Sequence, residues 1–192
     1  MLGERAAALR EVGEAWKQRG WVGGAEGAEW LLTQSRASCL TFVDLLCELV
    51  PSYRDHRDHA SEPLVFAKRA QLCASMVHKL FGANFNDMDQ LTVFSDYRLP
   101  QLMRQYGVMT LSPALTEQVE GHALVPAHSD QEIAIRAATV VAAEHVRRAL
   151  ADRTGRPLTA AAVDYMLWRT TVDLDAFGAI TMAFHRTRTT SY

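Results

Sequence analysis

The sequence predicts an all-α protein, and three observations carry that reading. Apolar residues recur at three- and four-residue intervals through most of the chain, no stretch alternates apolar and polar residues between turn signals, and helix start and stop signals punctuate the pattern. With 192 residues, 48% of them hydrophobic, and a formal net charge of -2, the chain is long enough to bury a core and reads as a single helical domain over residues 1–192.

Taken in order, a first helix is predicted over Arg5–Arg19, with Leu9, Val12 and Trp16 on one face and the glycine-rich Gly20-Trp21-Val22-Gly23-Gly24 ending it. A second runs over Ala28–Leu49, with a break near Ser35–Ser38, and Pro51 stops it. Ser52–His59 reads as a charged loop, followed by a helix over Leu64–Phe81 that Gly82 closes. A loop through Asn84–Asp87 leads to a helix over Pro100–Tyr106, and Ser112-Pro113 starts a short helix ending at Gly121. Ser129-Asp130-Gln131-Glu132 is a capping box that opens a long helix to Leu150. Apolar residues nearly all round that helix predict that it is central and buried. Thr159 caps the last main helix.

Composition excludes several functional classes. The near-neutral charge argues against binding nucleic acid through broad electrostatics, so no direct nucleic-acid partner is expected, although two or three local cations suffice for one phosphate. No run of about 18 apolar residues occurs, and Met1–Arg5 lacks the apolar stretch of a secretory signal; no membrane partner and a cytoplasmic location follow as expectations. Cys39, Cys47 and Cys73 are odd in number and lack paired short spacing, which points to reduced, mostly buried thiols. Asp55-His56-x-Asp58-His59 holds two His and two Asp within five residues, but no distant cluster completes a site, so it reads as a solvated turn and no metal or cofactor is expected.

The densest chemistry lies in Thr92–Gln101. Phe94, Asp96, Tyr97, Arg98 and Pro100 place an acid, a base and two aromatic rings within a few residues. Either the rings pack inward while Asp96 caps the helix at Pro100, or the segment holds a flat polar ligand by stacking on its faces and reading its edges. Asp164 and Trp168 are four apart on a helix, which puts a carboxylate beside an aromatic wall one turn past the Thr159 cap. Lys68-Arg69 falls in the middle of the predicted Leu64–Phe81 helix, so one of the two faces inward, to pair with a carboxylate or phosphate, or snorkels at the rim. Glu132 and Arg136 read as a capping box and an i,i+4 ion pair rather than as catalytic groups. His185, Arg186 and Arg188 make a basic ending, read as either a disordered tail or a phosphate contact.

Several of these motifs resemble the queuosine salvage proteins, the queuosine 5′-phosphate N-glycosylase family. The matching pieces are Pro51-Ser52-Tyr53-Arg54-Asp55, Phe66-Ala67-Lys68-Arg69-Ala70-Gln71, Leu91–Gln101, Glu132-Ile133-Ala134-Ile135-Arg136-Ala137, Asp164-Tyr165-Met166-Leu167-Trp168 and the ending His185–Tyr192, in the family's order and spacing. The resemblance implies a helical fold akin to helical DNA glycosylases. It also implies hydrolysis of the N-glycosidic bond of queuosine 5′-monophosphate, releasing queuine for tRNA modification. It places the family's catalytic aspartate on Asp164, a second aspartate on Asp96 and a lysine on Lys68. Phe94, Tyr97, Arg98, Trp168 and Arg188 are then expected to bind substrate, with Arg188 the weaker phosphate candidate.

This chain departs from the family in lacking the usual N-terminal region, in carrying Arg169 where Asp or Asn is usual after the tryptophan, and in having Ala134 where a second glutamate is common. The expectation is therefore a glycosylase acting alone, as a homodimer, or with a partner chain that supplies the N-terminal part. The alternative is a non-catalytic or partner-dependent nucleotide-binding helical module derived from the family.

Overall fold

The computed structural model describes residues 1–59 and 62–192, which group into two compact units: Met1–Leu91 with Ser191, and Thr92–Thr190 with Tyr192. The boundary between them at Leu91 carries no proline, glycine or charge run that would mark a linker. Helices make up most of both units, as the periodicity predicts; among the described residues there are eight α-helices and one two-stranded sheet.

The first unit opens with α1 (Leu2–Gln18) and α2 (Gly24–Ser35). The expected apolar face of α1 is not buried: Leu9 is exposed, and no residue of the helix is fully covered. Its anchor is aromatic instead. Trp16 meets Trp21 edge-on at 5.3 Å, Trp21 meets Trp30 at 5.5 Å, and the Arg19 guanidinium lies 4.7 Å over the Trp30 ring.

The break foreseen near Ser35–Ser38 is present. Arg36 and Ala37 take positive φ values of 49° and 62°, and the Ser38 hydroxyl then caps α3 (Cys39–Leu49) by accepting from the Thr41 N–H. Asp87, treated in the sequence as mere loop, completes that cap. Its carboxylate accepts from the Ser38 hydroxyl at 2.7 Å and the Cys39 N–H at 2.6 Å. Burial works against the charge, yet the bonds from Ser38, Cys39 and Leu40 outweigh it and bring the carboxyl down to about 2. The cysteines are free thiols; Cys39 and Cys47 are buried and Cys73 partly so.

The charged stretch after Pro51 is not a loop. It forms a 3₁₀ turn (Pro51–Tyr53) and then β1 (His56–His59), paired antiparallel with β2 (Glu62–Val65) in the register His56 opposite Val65. Four-residue strands this charged carry no alternation to detect, and the strand displaces the start of the next helix from Leu64 to Lys68. The Asp58 and His59 side chains, which belong to the solvated-turn reading, lie outside the described residues. In α4 (Lys68–Phe81), Lys68-Arg69 is therefore the first turn rather than the middle. Gly82, at a φ of 70°, ends α4 as expected.

The second unit contains α5 (Arg98–Gln105), α6 (Pro113–Glu120), α7 (Asp130–Thr154) and α8 (Ala160–Ala176). Ser112, Ser129 and Thr159 each accept a backbone N–H at their helix starts, as the sequence signals predict. The helix expected at Pro100 begins two residues earlier, so the proline is its third residue. Val93, Leu99, Met103, Met109, Val119, Val125 and Ile135 form the core with Ala143 and Ala160. α7 supplies Ile133, Ile135, Thr139 and Ala143 to the buried side, but Ala134, Ala138 and Val141 face outward, so it is not covered all round. The basic ending is not a disordered tail. The Val125 N–H donates to the Arg186 carbonyl at 2.8 Å, the Thr187 hydroxyl donates to the Val125 carbonyl at 3.0 Å, and Gln101 and Arg104 of α5 hold the Met182 and Ala183 carbonyls.

Leu99 sits on the buried face of α5 at 1% exposure. Leu99→Ala is expected to lower unfolding stability by about 2–5 kcal/mol, the range for emptying a leucine-sized core site, read as a lower urea midpoint at unchanged slope.

Candidate active site

Asp164 occupies the fifth position of α8, on the buried flank shared with Ala160, Ala161 and Val163. A carboxylate in such a place needs donors. One is the backbone N–H of Phe94, which reaches Asp164 Oδ1 at 2.8 Å across a separation of 70 residues. This bond joins the two motifs that the sequence singles out independently, Thr92–Gln101 and Asp164–Trp168. Phe94 contributes through its amide, and its ring is buried at 4% exposure. Trp168, one turn along α8, is 41% exposed and lies 6.1 Å from the Tyr165 ring, so the outer side of the helix offers two aromatic faces.

Asp96 takes the capping role that the sequence leaves open. Its Oδ1 accepts from the Arg98 N–H at 2.8 Å and the Leu99 N–H at 3.2 Å, which starts α5 and fixes the orientation of the carboxylate. Tyr97 packs on Phe184 at 5.0 Å and faces Tyr192 at 6.5 Å. Arg98 lies over the Tyr97 and Phe184 rings and pairs with Asp175 at 3.0 Å. Arg188 is exposed.

Lys68 belongs to the first unit, where its N–H donates to Asp55 Oδ2 at 3.4 Å. Lys68 and Arg69 are both half-buried. The Arg69 guanidinium donates to the Ser52 carbonyl at 2.7 Å and hydroxyl at 3.0 Å, and stacks 4.4 Å over Tyr53. Among the described residues, no group of three or more His, Cys, Asp or Glu is placed to hold a metal ion.

Sequence reasoning misses the polar group behind the Thr92–Gln101 segment. Glu132 and Arg136 are i,i+4 on α7 as read, with 3.5 Å between charged atoms, but both are buried, at 2% and 1% exposure. The Tyr192 hydroxyl donates to Glu132 Oε1 at 3.0 Å, and the Arg136 guanidinium lies 4.8 Å over the Tyr192 ring. His185 Nε2 is 3.3 Å from the Tyr192 oxygen. With the Tyr192 hydrogen committed to Glu132, this contact requires the Nε2–H tautomer of His185. The capping-box spacing was legible. The burial of the pair was not, because its cover is Tyr192, 60 residues away in sequence.

A mostly helical protein thus holds a buried carboxylate by a backbone amide on a helix whose outer side carries two exposed aromatic rings. The chain belongs to the queuosine salvage protein family, whose model matches residues 1–192. A protein of Sphaerobacter thermophilus named queuosine 5′-phosphate N-glycosylase/hydrolase is 36% identical over 196 residues, a match that takes in 100% of this chain and 58% of that protein. Proteins of the same name from Dictyostelium discoideum and Nematostella vectensis are 33% and 28% identical, with 86% and 100% of this chain matched to 51% and 59% of theirs. The chain thus spans between about half and three-fifths of the length of these relatives.

His185 gives the second unit a pH dependence. Burial first, then the positive charges of Arg136 and Arg104, bring its pKa from 6.5 down to about 4. Between those values the unfolded chain binds the proton and the folded chain does not, so stability is complete above pH 6.5 and falls as pH drops toward 4. The depression corresponds to about 3 kcal/mol. Urea unfolding at intervals from pH 7 to 4.5 should show this loss, and His185→Gln should flatten it across the same window.

Proposed function

We propose that the chain carries the catalytic part of a hydrolase that cleaves the N-glycosidic bond of queuosine 5′-monophosphate, releasing queuine for tRNA queuosine salvage. The observation that supports this reading most directly is the Asp164 carboxylate, buried and oriented by the Phe94 N–H at 2.8 Å beside the exposed Trp168. Breaking a ribosyl C–N bond builds positive charge at C1′ and the ring oxygen. A preorganised carboxylate lowers the energy of that state, because its orientation is already set when the charge develops. Water supplies the oxygen that bonds to C1′, and its proton balances the departing base.

The base is a 7-deazapurine without the N7 atom at which ordinary purines accept a proton, so help for its departure must come at another edge. Asp96 is assigned to that edge, with its carboxylate oriented by the Arg98 and Leu99 amides. Tyr97 and Trp168 are assigned to the faces of the base, Phe94 to orienting Asp164, and Arg98 and Arg188 to polar contacts with the substrate. The role given to Lys68, binding phosphate or positioning Asp164, rests on the family resemblance alone. The same reading includes a cytoplasmic location and either a homodimer or a partner chain that supplies what the longer relatives contain. Among the described residues, no helix is long and apolar enough to cross a membrane.

Incubation of the purified chain with queuosine 5′-monophosphate, with queuine followed by mass spectrometry, tests the proposal. Asp164→Ala should reduce release by about 10³-fold, the scale of losing a transition-state charge partner. If the unaltered chain releases no more queuine than that variant yet melts at a higher temperature with the nucleotide, the chain is a binding module. If release begins only when a second polypeptide is co-expressed, the partner-dependent form of the enzyme is correct.

A further inference from the structure

The segment that carries the Phe94 amide is neither helix nor strand, so side chains and turns must hold it. The Ser95 N–H closes a tight turn on the Val93 carbonyl at 3.0 Å, and the Ser95 hydroxyl, at 2% exposure, donates to the Arg136 carbonyl at 3.1 Å. Arg136 is therefore tied to the site segment by its backbone and to Glu132 and Tyr192 by its side chain. Tyr192 reaches the same segment from its other end, through the ring of Tyr97 at 6.5 Å. Ser95 and Tyr97 flank Asp96, and Phe94 directly precedes them.

We infer that Tyr192 is a positioning residue: through Glu132 and Arg136 on one side and Tyr97 on the other, it holds residues 95–97 so that the Phe94 N–H points at Asp164. Its hydroxyl satisfies Glu132, its ring covers the Arg136 guanidinium, and the Arg136 carbonyl receives Ser95. Linked buried polar groups of this kind move together, because each has few other partners. A displacement of under 1 Å at an aligned catalytic group is enough to slow chemistry greatly. The catalytic consequence rests on the glycosylase reading above, whereas the link from Tyr192 to the Phe94 amide does not.

The test therefore uses two readouts. In ¹⁵N-labelled protein, Tyr192→Phe removes the hydroxyl and keeps the ring, and Ser95→Ala removes the link to Arg136. Each should lower hydrogen-exchange protection of the Phe94 amide about tenfold or more while amides of α6 keep theirs. The double variant should lose no more than the more strongly affected single variant, because both cut one connection. With queuosine 5′-monophosphate, Tyr192→Phe should lower kcat about tenfold with KM unchanged within about twofold. An unaltered Phe94 amide in Tyr192→Phe, or additive losses in the double variant, overturns the inference. Absence of turnover by the unaltered chain counts against the glycosylase reading, and the amide comparison still decides this one. Should Tyr192→Phe not fold, Glu132→Gln reads the same connection from its other end, and an unchanged Phe94 amide there overturns it equally.

Discussion

Burial of Glu132 and Arg136 on one face of α7 constrains much of the second unit. Removing a carboxylate and a guanidinium from water costs several kcal/mol per ion, and a contact of 3.5 Å between them recovers that only if other groups satisfy what remains. Further partners come from outside the helix. Tyr192 donates to the carboxylate and lays its ring over the guanidinium, and Ser95 takes up the Arg136 carbonyl. A pair whose closure depends on distant segments cannot form until those segments are in place. The ion pair is therefore a means of fixing the 93–97 segment and the chain's last residues against α7 more than a source of net stability.

That constraint explains why the ending is ordered despite its basic composition. Residues 182–187 are held through backbone carbonyls by Gln101, Arg104 and Val125, so the charges of Arg186 and Arg188 place no demand on the core. His185 turns inward, where burial and two nearby guanidinium groups keep it neutral. A protonated imidazole there would add a third positive charge beside Arg136 and Arg104, whose carboxylate partners Glu132 and Glu120 are already engaged.

Local signals were legible wherever the chemistry was local. Ser112, Ser129, Thr159 and Gly82 mark helix ends by their own side chains or by the lack of one, and the structure uses each as the sequence indicates. The breaks at Arg36 and Ala37 and the reduced thiols followed the same logic. What failed depended on distant partners or short elements. The β1–β2 hairpin is four residues a side and rich in charge, so it leaves no periodic trace, and it moved the start of α4 past the point where periodicity put it. The cap of α3 by Asp87 spans 48 residues and the cover of Glu132 by Tyr192 spans 60, distances at which a single sequence records no pairing. Helix α1 departs in the opposite sense: its apolar spacing is real, but no residue of its expected face is buried, and Trp16 is anchored by a ring contact to Trp21 beyond the helix.

The two aspartates of the site differ in how each is held, and that difference follows from backbone context. Asp96 accepts from its own neighbours, two residues and three residues on, so these two donors come with the turn into α5. Asp164 lies inside a helix whose own N–H groups are already committed, so its donor must come from another segment, and that segment has no secondary structure to hold it. The geometry of Asp164 thus depends on a segment 70 residues away. The turn into α5 supplies two donors to Asp96, whereas the donor to Asp164 sits on a segment tied through Ser95 to Arg136, and Arg136 in turn to Glu132 and the Tyr192 ring.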